Sequence, residues 1–110
     1  MDEKVSNQGE AGTLELEVID IEEYCKAGKH PPKNRRYRIK IDKEKYVVEE
    51  PFMTGRDLLR LAGKEPPEEY EIFQKLSGGK LIEISLNENA DFTKPGIEKF
   101  VTLPLDQGEG

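Results

Sequence analysis

Hydrophobic residues recur along the chain with two different periods. In RYRIKID, Tyr37, Ile39 and Ile41 alternate with Arg38 and Lys40, which predicts a strand with one buried face. The polar stretch DKEK follows, then KYVVEE, and so short a connection makes the two strands a hairpin that Pro51 ends. The period changes in MTGRDLLRLAGK, where Leu58, Leu59, Leu61 and Ala62 supply one helical face. Thr54 is placed to cap this helix, with Asp57 three positions later in the capping-box spacing. Gly63 marks its end and Pro66-Pro67 prevent a restart. A helix of about ten residues is marginal alone in water, so a sheet must stabilise it. Strands to build that sheet follow: EEYEIFQKL, a turn on Gly78-Gly79, then LIEISL. After an irregular NENADFTKPGIEK comes KFVTLPL, whose Pro104 cannot donate to a ladder and belongs at an edge or a strand end.

The order over residues 36–105 is strand, strand, helix, strand, short strand, strand. An α+β fold follows, a mixed sheet crossed by one helix. The last strand buries most apolar surface when it lies mid-sheet, parallel to the first. That is the β-grasp architecture. Upstream, Leu14, Leu16 and Val18 alternate with Glu15, Glu17 and Ile19, a short strand pattern. Asp20 can cap a helix over IEEYCKAG, with Ile21, Tyr24 and Cys25 on one side and Gly28 and Pro31-Pro32 as its stop. The chain therefore divides into a polar, acidic tail expected to be disordered (1–12), an N-terminal strand and short-helix extension (13–35), the β-grasp domain (36–105) and a flexible C-terminal tail (106–110).

Composition agrees with a small core. Hydrophobic residues are 35% of the chain and charged residues 36%, enough for a compact unit of roughly 65–75 residues. The net charge of −6 argues against bulk nucleic-acid binding, and the aromatic among bases in RRYRIKIDK does not outweigh it. Charge is uneven, however: acids crowd residues 1–23 and bases crowd residues 26–45. Cys25 stands alone, so no intrachain disulfide forms. With neither a leader pattern nor an apolar span of membrane length, a cytoplasmic location is expected. Cys25 and His30 cannot build a zinc site, and as a nucleophile pair they lack an orienting group. Gly78-Gly79-Lys80 lacks the spacing of a phosphate loop. No catalytic residue and no metal site is predicted.

Pro66-Pro67, the polar EEYE, Ile72-Phe73-Gln74 and Gly78-Gly79-Lys80 succeed one another as the corresponding elements do in ubiquitin. Together with RYRIKIDKEKYVVEEPFMTGRDLLRLAG and GIEKFVTLP, they make the chain resemble the bacterial multiubiquitin domain family over about residues 20–105. The resemblance implies a protein modifier rather than an enzyme. An activating enzyme would adenylate the carboxylate of Gly110 with ATP, which this chain itself would not bind. The acyl group would pass as a thioester to a conjugating enzyme and end in an isopeptide bond on a target. A deconjugating or processing peptidase is the third implied partner, and antiviral defence an implied setting. Glycine suits a carboxylate that must thread a narrow channel, and residues 106–110 can reach at most roughly 17 Å. Gly108 and Glu109 are then the tail-recognition residues, with Glu109 where modifiers usually carry a second glycine. Phe73, outward if Ile72 is inward, falls where ubiquitin has the centre of its recognition patch. The alternative is a noncovalent interaction module, self-associating as an oligomer or filament through Leu14, Leu16, Val18 and Tyr24. A sulfur carrier is a third option. Neither nucleic acid nor membrane is an expected partner.

Overall fold

The computed structural model describes residues 17–33 and 36–105. Within them the strands are β1 (Ile19–Asp20), β2 (Tyr37–Ile41), β3 (Glu44–Val48), β4 (Phe52–Thr54), β5 (Tyr70–Leu76), β6 (Leu81–Ile84), β7 (Asn89–Asp91) and β8 (Ile97–Pro104). The helices are α1 (Ile21–Ala27) and α2 (Gly55–Leu61), and a 3₁₀ turn covers Pro67–Glu69. The principal sheet runs β3-β2-β8-β5-β6, with β8 parallel to β2 and antiparallel to β5. The last strand thus lies mid-sheet, parallel to the first strand of the hairpin, in an α+β, ubiquitin-like β-grasp fold.

Alternation decides which side of each strand is inside. Tyr37, Ile39 and Ile41 from β2, Ile72 from β5, Ile84 from β6 and Phe100 from β8 are buried and face Leu58 and Leu59 of α2. Phe92 sits between Tyr37 and Phe100, with ring centroids at 5.9 and 6.1 Å. Tilted and edge-on rings at such distances add to what area burial alone contributes.

Both helices are short and rely on their ends. The Thr54 hydroxyl accepts from Asp57 N–H, and Asp20 Oδ1 accepts from Glu22 N–H. Each helix closes on a glycine at positive φ with the paired bonds of a Schellman motif. Gly28 N–H and Lys29 N–H donate to Cys25 and Tyr24, and Gly63 N–H and Lys64 N–H donate to Arg60 and Leu59. At its start, α2 lies against the 85–88 turn, where Gly55 N–H donates to Glu88 O and Arg56 N–H to Leu86 O. Those carbonyls satisfy donors that a helix start leaves without a partner.

The extension joins the same core. Ile19 and Ile21 are buried, and Tyr24 packs against the core cluster. β3 occupies one edge of β2 throughout, so β1 shares the other edge with β8. β1 takes Tyr37 and Arg38, and β8 takes only Ile41 through its pairing with Phe100. α1 packs on both β8 and β2. β1 and α1 therefore form a wedge at the opening between two parallel strands. Asp20 holds the wedge in place: its side chain caps α1 and lies 3.7 Å from Arg38 and 3.8 Å from Lys45. Of the alternation over 14–19, β1 takes in Ile19, Glu17 and Val18 precede the strand, and α1 begins at Ile21; residues 14–16 lie outside the described residues.

A second sheet was not legible in the sequence. β4 and β7 pair antiparallel, Phe52 opposite Asp91, in segments expected to be loop. Past β7, Asp91 Oδ1 accepts from the Thr93 N–H at 2.9 Å and the Thr93 hydroxyl at 2.6 Å. These bonds, the hydroxyl's first, hold the Asp91 carboxyl below its ordinary range. A depressed carboxylate stabilises the fold above its unfolded pKa, and the effect is lost as pH falls through the folded value. Asp91→Asn should cost about 1 kcal/mol at neutral pH, and the gap to wild type should close in acid. Urea unfolding at pH 7 and at pH 3 measures it; an equal gap at both would contradict this role for the carboxylate.

Candidate functional site

β8 is the element on which the expected functional features converge. It is central, so its two edges are used by β2 and β5, and it leaves the sheet at one defined point. Pro104 lies opposite Tyr70, and Leu105 N–H donates to Glu69 O at 2.9 Å. Pro104 thus falls at the strand's final residue, where its missing donor is tolerated. The tail that follows, with Gly108, Glu109 and Gly110, lies outside the described residues.

β8 is held to β2 mainly by one residue. Asp42 follows Ile41 in the two-residue β2–β3 connection, with φ +56°. Its N–H donates to Phe100 O at 2.8 Å. Its carboxylate accepts from Thr102 N–H at 2.9 Å and from the Thr102 hydroxyl at 2.6 Å. With only Ile41–Phe100 paired directly, these three bonds close the parallel seam that the wedge opens at its other end. The sequence marks Asp42 only as a turn residue. An aspartate tolerant of the left-handed region is the one signal there, and it does not point to β8.

Phe73 is half-buried and faces away from the helix, because Ile72 is buried on the other side. It lies opposite Val101 on β8 and Glu83 on β6. Leu103 on β8 and Leu81 on β6 are its diagonal neighbours, both 47% exposed. The outward face therefore carries an apolar group centred on Phe73 and Val101. The neighbouring row of the same face is basic: Lys45 lies opposite Lys40, and Lys99 opposite Lys75.

The other expected residues are apart from this face. Val18 is half-buried just ahead of β1, and Tyr24 packs on the chain's own core. Leu14 and Leu16 lie outside the described residues. Cys25 is half-buried, and its thiol is pushed up, by burial first and then by Glu98 and Glu22; that is opposite to what a reactive thiolate needs. Among the described residues there is no group of three metal-ligating side chains and no helix long and apolar enough to cross a membrane.

Comparison with known families decides the identity. The multiubiquitin family model matches residues 37–104, from the first residue of β2 to the last of β8. The chain belongs to the multiubiquitin family. The match spans more than half of the sequence and takes in every strand of the mixed sheet except β1, together with α2 and the outward face around Phe73. The β1–α1 wedge precedes it. Neither the curated proteins nor the solved structures give a significant match. As a multiubiquitin domain, the chain is a small ubiquitin-like module.

Proposed function

We propose that this ubiquitin-like module is a bacterial, cytoplasmic protein modifier. A glycine carboxylate in the segment beyond Leu105, Gly110 in the present sequence, is adenylated by an activating enzyme with ATP. The acyl group then moves to a cysteine as a thioester, to a conjugating enzyme, and to a target amine as an isopeptide bond. A peptidase exposes or removes the end, and antiviral defence is the setting in which the modification acts. The chain is a substrate of this chemistry and performs no catalysis itself; ATP belongs to its activating enzyme.

The observation that carries the reading is the multiubiquitin domain with β8 as its central strand, leaving the sheet directly into the glycine-containing segment. A tail anchored in the rigid middle of a sheet delivers its end from a fixed origin, which reduces the ordering cost when an enzyme binds domain and tail together. The test uses the chain, ATP and the cognate activating enzyme, followed by intact mass. A thiol-sensitive adduct should form with the full chain and vanish when Gly110 is deleted. An adduct of equal yield without Gly110 would place the reacting carboxylate elsewhere.

A noncovalent interaction module is the second reading, favoured by the apolar group Phe73, Val101, Leu103 and Leu81 on the sheet face. Under it, partner capture survives deletion of Gly110.

A further inference from the structure

β3 and β6 end the order β3-β2-β8-β5-β6, and each has one side unpaired among the described residues. Successive residues of a strand point their N–H and C=O groups to opposite sides. Asp42 N–H donates to Phe100 O on β8, so Ile41, Ile39 and Tyr37 point theirs toward β3. Their partners Glu44, Tyr46 and Val48 point back, and Lys45 and Val47 point away from the sheet. At the other end, Leu76 N–H donates to Lys80 O on the far side of the β5–β6 turn. Ile82 and Ile84 therefore point toward β5, and Leu81 and Glu83 point away. The backbone groups of Lys45, Val47, Leu81 and Glu83 meet no backbone partner among the described residues. Val47 and Leu81 are 48% and 47% exposed, and Ile82 is 37% exposed. Unpaired rows of this kind are a template for a further strand.

We infer that the β6 edge of one copy pairs antiparallel with the β3 edge of the next, so that one sheet continues from chain to chain. Strand directions allow it. β2, β8 and β6 run one way, β3 and β5 the other. A copy moved along the sheet without being turned over therefore brings its β3 antiparallel to β6. Side-chain chemistry selects the register. With Lys45 opposite Glu83 of the neighbouring copy, opposite charges meet. Val47 then meets Leu81, and Tyr46 meets Ile82. Faces match as well: Lys45, Val47, Leu81 and Glu83 are outward, and Tyr46 and Ile82 lie on the helix side. The Lys45–Glu83 and Val47–Leu81 pairs join the backbone groups left open on each edge. Glu83 also offsets the like-charge pair of Lys40 and Lys45. A slip of two residues sets Val47 against Glu83 or Gly79 instead. Pairing of identical edges about a two-fold axis fits less well. β6 on β6 about Ile82 sets Leu81 against Glu83, and β3 on β3 about Tyr46 sets Lys45 against Val47. A contact between two different edges is heterologous and leaves one edge open at each end, so it grows as an open filament. It uses neither the outward face around Phe73 and Val101 nor Gly110.

Sedimentation of the full chain over rising concentration tests it. The average mass should climb past that of a dimer without a plateau. Lys45→Glu and Glu83→Lys each set like charges across the contact and should raise the concentration needed roughly tenfold. The chain carrying both reversals should recover most of the loss, because the opposite-charge pair is restored in the reverse sense. Val47→Pro and Leu81→Pro each remove one outward N–H from an edge, a place where strands tolerate proline. Either proline chain alone should stay monomeric. Mixed in equal amounts they should form a dimer that grows no further, since each keeps the edge that the other lacks. Thermal melts show whether the proline chains are folded, and the charge reversals decide the matter without them if they are not. The inference is overturned if the wild-type chain is monomeric up to its solubility limit, or if both reversals together assemble no better than one. It is also overturned if folded Val47→Pro or Leu81→Pro self-associates alone, which would place the contact on a two-fold edge or on another surface.

Discussion

Gly55→Ala should be the most damaging single-methyl change in the domain, lowering stability by about 3 kcal/mol. Gly55 is the first residue of α2, and a Cβ there would meet Ser85 O at 2.5 Å, Ser85 C at 3.2 Å and Ile84 O at 3.3 Å. All three are backbone atoms at the end of β6, so no side chain can swing aside. The helix cannot simply retreat either, because Gly55 N–H and Arg56 N–H are bonded to Glu88 O and Leu86 O in the same turn. Alanine is the better helix former by up to about 1 kcal/mol in a helix interior, and less at the first turn. The clash therefore wins. At a cost near 3 kcal/mol the melting temperature should fall by roughly 12–24 °C for a domain of this size. A substitution that left the melting point in place would mean that α2 and the 85–88 turn are not packed as described.

Asp42→Ala should cost about 2–3 kcal/mol. It removes an acceptor for two donors of Thr102 and puts alanine at φ +56°. Asp42→Gly separates the two causes, since glycine accepts the backbone angle but supplies no acceptor. Asp42→Asn keeps one acceptor and tolerance of the left-handed region, and should cost about 1 kcal/mol. The expected order of chemical-denaturation midpoints is wild type, then asparagine, then glycine, then alanine. Amide exchange of Thr102 should rise in every variant, because the seam between β2 and β8 has only one directly paired residue to fall back on. Equal midpoints for all four chains would remove Asp42 from the account of how β8 is held.

The contrast between these two residues shows what the sequence displays and what it conceals. The β2–β3 hairpin, α2, β5 and β8 were legible because each carries a full period and a stop signal: alternation from Tyr37 to Ile41, Thr54 before the helix, Gly63 after it. β4 and β7 were not, because three residues hold no period. Their pairing is decided by Phe92 and Ala90 packing inward. The helix after Asp20 was legible from its cap; its use as a wedge between β2 and β8 was not, since position along a sheet edge is a tertiary outcome. Phe73 was legible as outward from its neighbour Ile72. Its partners Val101 and Glu83 were not, for they depend on the β5–β8 and β5–β6 registers, which only pairing of the whole strands decides. The basic row beside it has the same origin: four lysines far apart in sequence share a row only once the strands are paired.

The modifier reading makes one demand that no other reading shares, an isopeptide bond between the chain's last glycine and a target amine. Glu109 makes that bond easy to map. After conjugation in lysate with ATP and the cognate activating and conjugating enzymes, a glutamate-specific protease cutting after Glu109 should leave a single glycine on the target amine. Trypsin, cutting after Lys99, should leave residues 100–110 on the same amine. Both remnants on one target lysine, dependent on ATP and lost on deletion of Gly110, are the predicted result. ATP-dependent conjugates whose targets carry neither remnant, or no conjugate at all with active enzymes, would contradict it.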